Sequence, residues 1–112
     1  MGFDLPSRGQ NLLANGRDLV IVMAVNLDNL PQAVSALVGM GAKRVILFGS
    51  AATDPERAGD VDLAVEGISP ERILDADVAL MDILRQPFDL VARELNPLFF
   101  SVVERYGKVL YG

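Results

Sequence analysis

Apolar positions along this chain recur with two different periods, and the switches between those periods mark its elements. From Leu30 the residues Leu30, Ala33, Val34, Leu37 and Val38 fall at helical spacing. Asn29 stands where an N-cap belongs, Pro31 lies in the first turn, and Gly39 and Gly41 supply the stops, so a helix with one buried face is expected. Lys43 to Phe48 is a short apolar run containing β-branched residues, which predicts a buried strand running into Gly49-Ser50. A loop over 51–59 follows, with Asp54-Pro55 and Gly59 as its turn residues. Val61, Leu63 and Val65 then alternate with Asp60, Asp62 and Ala64, which predicts a strand over 61–66 with a core face and an acidic face. Ser69-Pro70-Glu71 has the cap, the N1 proline and the early acid of a helix start. That helix is expected to run to about Arg85, burying Ile73, Ala76, Leu80, Ile83 and Leu84, before Pro87 breaks it. Phe88 to Ala92 reads as a third strand. Asn96-Pro97 opens a last helix whose Leu98, Phe99, Val102, Val103 and Tyr106 line one side, and Gly107 closes it.

Residues 1–18 contain Pro6, Gly9, Asn11, Asn15 and Gly16 and read as an irregular lead-in. The run 19–25 is wholly apolar, and its period fits strand and helix alike. It is far shorter than the ~20 residues of a spanning helix, and no cleavage site of the usual small-residue kind follows it. Buried structure is the expectation for it, with a partner-binding surface as the alternative, and no membrane association is expected.

Composition narrows the chemistry. With 112 residues, 51% of them apolar and 22% charged, the chain is expected to form a single domain over 1–112 with one core. Its formal charge of −5, with Lys and Arg scattered, argues against a surface that grips nucleic acid through phosphates. Cysteine and histidine are both absent. That excludes disulfides, zinc sites built on His or Cys, Ser-His-Asp triads and Cys-His pairs, and it fits a cytoplasmic location. Any catalysis must rest on carboxylates and metal ions.

The connection lengths predict where the acids go. The short loop 51–59 favours an antiparallel pairing of the strands it joins, which puts Gly49-Ser50 beside Asp60 and Asp62. The helix between 61–66 and 88–92 suits a parallel crossover, and parallel strands start at the same edge. Asp89, second in its strand, is therefore expected at the rim that already holds Asp60 and Asp62. Carboxylates at roughly 6 Å repel by about 3 kcal/mol at an effective dielectric near 20, which calls for a cation, a shared proton or full solvation. Magnesium suits such a set, because it is a hard ion held by one or two carboxylates plus substrate phosphates and waters. Gly49 lets a phosphate approach the backbone, and the Ser50 hydroxyl and nearby N–H groups can donate to it.

At these residues the chain resembles the minimal nucleotidyltransferase family, small members of the polymerase-β-like nucleotidyltransferase fold that are often encoded as the antitoxin partner of an all-helical HEPN toxin. The resemblance spans about residues 30 to 112. Leu47-Phe48-Gly49-Ser50 matches the strand-and-turn motif, Asp60-Val61-Asp62-Leu63-Ala64-Val65 the two-aspartate strand, and Pro87-Phe88-Asp89-Leu90-Val91 the third-aspartate strand. The ending Gly107-Lys108-Val109-Leu110-Tyr111 is also similar to many members. After Gly49-Ser50 many relatives carry an Arg-Gly pair where this chain has Thr53-Asp54, and Arg57 is the cation in that loop that can substitute.

The resemblance implies an α/β (α+β) fold, a small mixed sheet with helices packed on it. It implies that Asp60, Asp62 and Asp89 hold Mg2+ and carry catalysis, with Gly49, Ser50 and Arg57 contacting ATP or another nucleoside triphosphate. The reaction implied is transfer of a nucleoside monophosphate, AMP in the family resembled, to a hydroxyl on a HEPN-type toxin, in a homo- or hetero-oligomer. Two alternatives stand beside it. One is an antitoxin that neutralises its partner by contact alone, its nucleotide site decayed, which the missing arginine favours. The other is a different Asp-x-Asp enzyme, a phosphatase or a glycosyltransferase, which ranks last. The phosphatase type places its acid at the end of its first strand, and sugar-transferring folds are generally much larger.

Overall fold

The computed structural model describes residues 25–112. The expectations for 1–18 and for most of 19–25 lie outside the described residues. Val25 is the exception, and it packs half-buried against the main core.

The elements follow in the order α1 (Leu30–Gly39), β1 (Arg44–Phe48), α2 (Ser50–Thr53), β2 (Val61–Glu66), α3 (Ile73–Leu84), β3 (Phe88–Ala92), α4 (Pro97–Tyr106) and β4 (Lys108–Tyr111), with a 3-10 turn at Pro70–Arg72 leading into α3. The strands form one sheet in the order β3-β2-β1-β4. β1 runs antiparallel to β2 and to β4, and β2 runs parallel to β3. The expected pairings therefore hold: the short loop turns the chain back on itself, and α3 carries it across.

Strand alternation sorts the core onto the two faces of the sheet. Val45, Leu47, Val61, Leu63 and Val65 pack with Ala33 and Leu37 of α1 and Ala76, Leu80 and Leu84 of α3. Ile46 and Ala64 face the other way and pack with Phe100 and Val103 of α4, flanked by Phe48 and Val91. Arg44 lies at the end of β1 farthest from the Gly49 turn, within 3.6 Å of Glu66 and also paired with Glu104, and its guanidinium sits 5.9 Å from the centroid of the Phe100 ring. Those contacts fasten α4 across that end of the sheet.

Four details differ from the sequence expectations. Ser50–Thr53 closes into one helical turn inside the expected loop, where Asp54 N–H donates to the Ser50 carbonyl at 2.7 Å and Ala51 is buried. A segment of that length has too few residues to display a period. Lys108–Tyr111 forms a fourth strand, an edge that pairs with β1 across a register shift. On α4 the expected apolar side is split: Val103 is buried together with Phe100, whereas Leu98, Phe99, Val102 and Tyr106 remain exposed. Phe100 and Val103 pack over Ile46 and Ala64, and with that side of α4 against the sheet the other stripe turns outward. Finally, Asn29, Ser69 and Asn96 make no side-chain cap hydrogen bond. Asn29 instead donates from Nδ2 to the Ile83 carbonyl at 3.1 Å, which ties the start of α1 to the end of α3.

Candidate functional site

Register does most of the positioning. Phe48 at the end of β1 pairs with Asp62 of β2, and Asp62 in turn pairs with Asp89 of β3. The three residues form one row across three strands. By alternation Asp62 shares a face with Ala64 and Asp89 with Val91, so both carboxylates project from the α4 face of the sheet. Asp60 lies one residue before β2. The Val61 N–H donates to the Pro87 carbonyl at 3.0 Å, which starts β2 and β3 together at the same edge.

The row ends on a turn that only glycine fills. Gly49 has φ 73° and ψ −160°, a region that is essentially closed to other residues. A Cβ placed there would collide with the Asp62 carboxylate and lie 3.3 Å from its Cγ. The Asp62 side chain thus rests directly against the Gly49-Ser50 backbone. Ser50 is exposed at the start of α2.

Electrostatics mark the same spot. The Asp62 carboxyl is pushed above its ordinary value of 3.8, first by burial and then by the charges of Asp60 and Asp89. The structure therefore brings together the acids that the sequence singled out. Asp77 of α3, the helix on the opposite face of the sheet, is also raised, by burial and then by the charge of Asp89. The signal for Asp77 was available in the sequence, because an acid occupies a position that shares the spacing of the buried residues Ala76, Leu80 and Leu84. Arg57 lies apart, largely exposed, with its Nε 3.7 Å from Asp54 in the same loop. Surface pairs of that kind contribute about 0–1 kcal/mol, too little to hold the side chain in place.

The donor set is all oxygen and mutually repelling, which is the chemistry of a hard divalent cation. Among the described residues no three or more acids are gathered closely enough to hold a metal ion by themselves. Among the described residues no helix is long and apolar enough to cross a membrane.

No protein-family model matches the chain, and no curated protein matches it. Among solved structures it is similar to a chain in the crystal structure of a mutant of the toxin-antitoxin MntA-HpeT, with a TM-score of 0.60 and 22% sequence identity, over 79% of this chain and 73% of that one. At that level the likeness shows a shared fold: a small α/β fold with one four-stranded mixed sheet and helices packed on it.

Proposed function

We propose that this protein is a magnesium-dependent nucleotidyltransferase that moves a nucleoside monophosphate, AMP from ATP, onto a hydroxyl of a partner protein, and that it acts in the cytoplasm as the antitoxin of a HEPN-type toxin. The observation that carries the reading is the in-register pair Asp62 and Asp89, joined by Asp60 and abutting the Gly49 turn on one face of the sheet. The similarity to a toxin-antitoxin structure supports the biological setting.

In this reading Asp60, Asp62 and Asp89 would hold the magnesium. When bound, the ion neutralises charge on the polyphosphate and on the attacking and leaving oxygens of an in-line displacement. Gly49 lets the Asp62 carboxylate lie against the turn, and main-chain N–H groups of that turn would donate to the phosphates. The Ser50 hydroxyl donates to a phosphate oxygen. Asp89, on the edge strand β3, would take the proton of the acceptor hydroxyl as the new phosphodiester bond forms and pyrophosphate leaves.

A contact-only antitoxin is the second reading, and one observation favours it. The cation in the loop after the turn, Arg57, is exposed and paired with Asp54 rather than directed at the acids. The deciding experiment incubates the partner toxin with this protein, ATP and magnesium and then measures the intact mass of the toxin. A gain of one or more AMP units, abolished by chelation and by Asp62→Ala, establishes the transferase. An unmodified toxin that is nevertheless inhibited in complex establishes the second reading.

A further inference from the structure

Immediately beside the acidic row the sheet and α4 part to leave an apolar cavity of about 410 Å³. Phe48, Gly49 and Thr53 form one wall, and Phe99, Val102 and Tyr106 of α4 form the other. The Phe48 and Phe99 rings meet edge to face, with centroids 5.5 Å apart and planes at 73°, so the two walls are braced against each other there. Phe99 nevertheless stays 46% exposed and Tyr106 75% exposed, although both are large aromatic residues on a helix that already buries Phe100. The volume falls in the range of about 300–1,000 Å³ usual for small-molecule sites.

The chemistry of the lining selects its occupant. None of its side chains is charged, and the neighbouring carboxylates repel any anionic group. A flat, uncharged heterocycle suits it, with apolar faces for the rings and with the Thr53 and Tyr106 hydroxyls for its polar edge. Gly49 belongs both to this cavity and to the turn against Asp62, so a single ligand reaches both places only if it carries phosphates at one end and such a ring at the other.

We propose that this cavity seats the nucleobase of the nucleoside triphosphate, with Phe99 and Tyr106 as its principal contacts; the assignment rests on the transferase reading above. The full chain is titrated with ATP and magnesium, with tripolyphosphate and magnesium, and with adenosine alone, while the ring resonances of Phe99 and Tyr106 are followed by NMR. Phe99→Ala and Tyr106→Ala should each weaken ATP about tenfold, as loss of a base-stacking aromatic does, and leave tripolyphosphate affinity unchanged. Adenosine alone should shift both rings in the parent protein.

ATP affinity that is unchanged in both variants overturns the assignment, as does equal weakening of ATP and tripolyphosphate. If adenosine shifts the rings while neither polyphosphate binds, the cavity stands and the transferase reading falls. If tripolyphosphate binds but neither adenosine nor ATP disturbs the rings, the phosphate site stands and the cavity belongs to another occupant, such as an apolar side chain of the partner. Should Phe99→Ala unfold, Tyr106→Ala and Val102→Gln decide alone, since both positions are more than half exposed.

Discussion

Replacing Gly49 with alanine tests the central geometry directly. The backbone there lies at φ 73° and ψ −160°, where a side chain costs about 1–3 kcal/mol. The new methyl group also meets the Asp62 carboxylate. That carboxylate can yield only by leaving its rotamer, at about 0.5–1.5 kcal/mol. The expected loss of stability is therefore roughly 2–4 kcal/mol, read by urea denaturation of the full chain followed by circular dichroism. The two contributions separate in a double-mutant cycle. Asp62→Ala removes the obstacle, so Gly49→Ala should cost about 1 kcal/mol less in the Asp62→Ala background than in the parent. Strictly additive changes would show that Asp62 does not lie against the turn. A cost below about 0.5 kcal/mol for Gly49→Ala alone would refute the strained backbone as well.

Three further outcomes are expected. Because the folded-state values of Asp62 and Asp77 lie above 3.8, their contribution to stability is fully present below 3.8 and is lost as pH rises through the raised values. Asp62→Asn and Asp77→Asn should therefore be more stable than the parent at neutral pH, and that advantage should shrink as pH falls toward 4 in denaturation series; an advantage independent of pH contradicts the assigned causes. Phe100→Ala should cost about 3–5 kcal/mol because Phe100 is fully buried, whereas Leu98→Ala, at 83% exposure, should stay within about 0.5 kcal/mol; equal costs would misplace the face of α4. Gly107→Ala would set a methyl group 2.5 Å from the Ile46 Cγ2 and 2.8 Å from the Val103 carbonyl, and should lower thermal stability by about 1–3 kcal/mol through overpacking; an unchanged melting point contradicts the close approach of α4 and β1.

The parts of this fold that were legible in the sequence are those governed by alternation and by the lengths of connections. β1, β2 and β3 each carry a buried side and lie between clear breakers, and the short loop and the crossover helix then dictate which way each strand runs. That is why the sequence alone places Asp60, Asp62 and Asp89 at one rim. β4 was illegible because its Lys108, Val109 and Tyr111 are exposed, so an edge strand of that kind has little burial to imprint on its pattern. The orientation of α4 was illegible because apolar residues occupy more than one side of it, and periodicity cannot choose between faces when both are greasy. Asp77 shares the core-facing spacing of α3, but its proximity to Asp89 depends on how α3 lies against β3, a tertiary fact that local spacing does not encode.

The direct opposition of Asp62 and Asp89 in a parallel ladder has a consequence for how this protein could be altered. Neighbouring strands sit about 4.8 Å apart whatever side chains they carry, so the gap between those two acids is gauged by the main chain and not by fine packing. Extensive repacking beneath the sheet would leave that gauge intact. A slip of one residue in β3 would destroy it outright, turning Asp89 to the opposite surface.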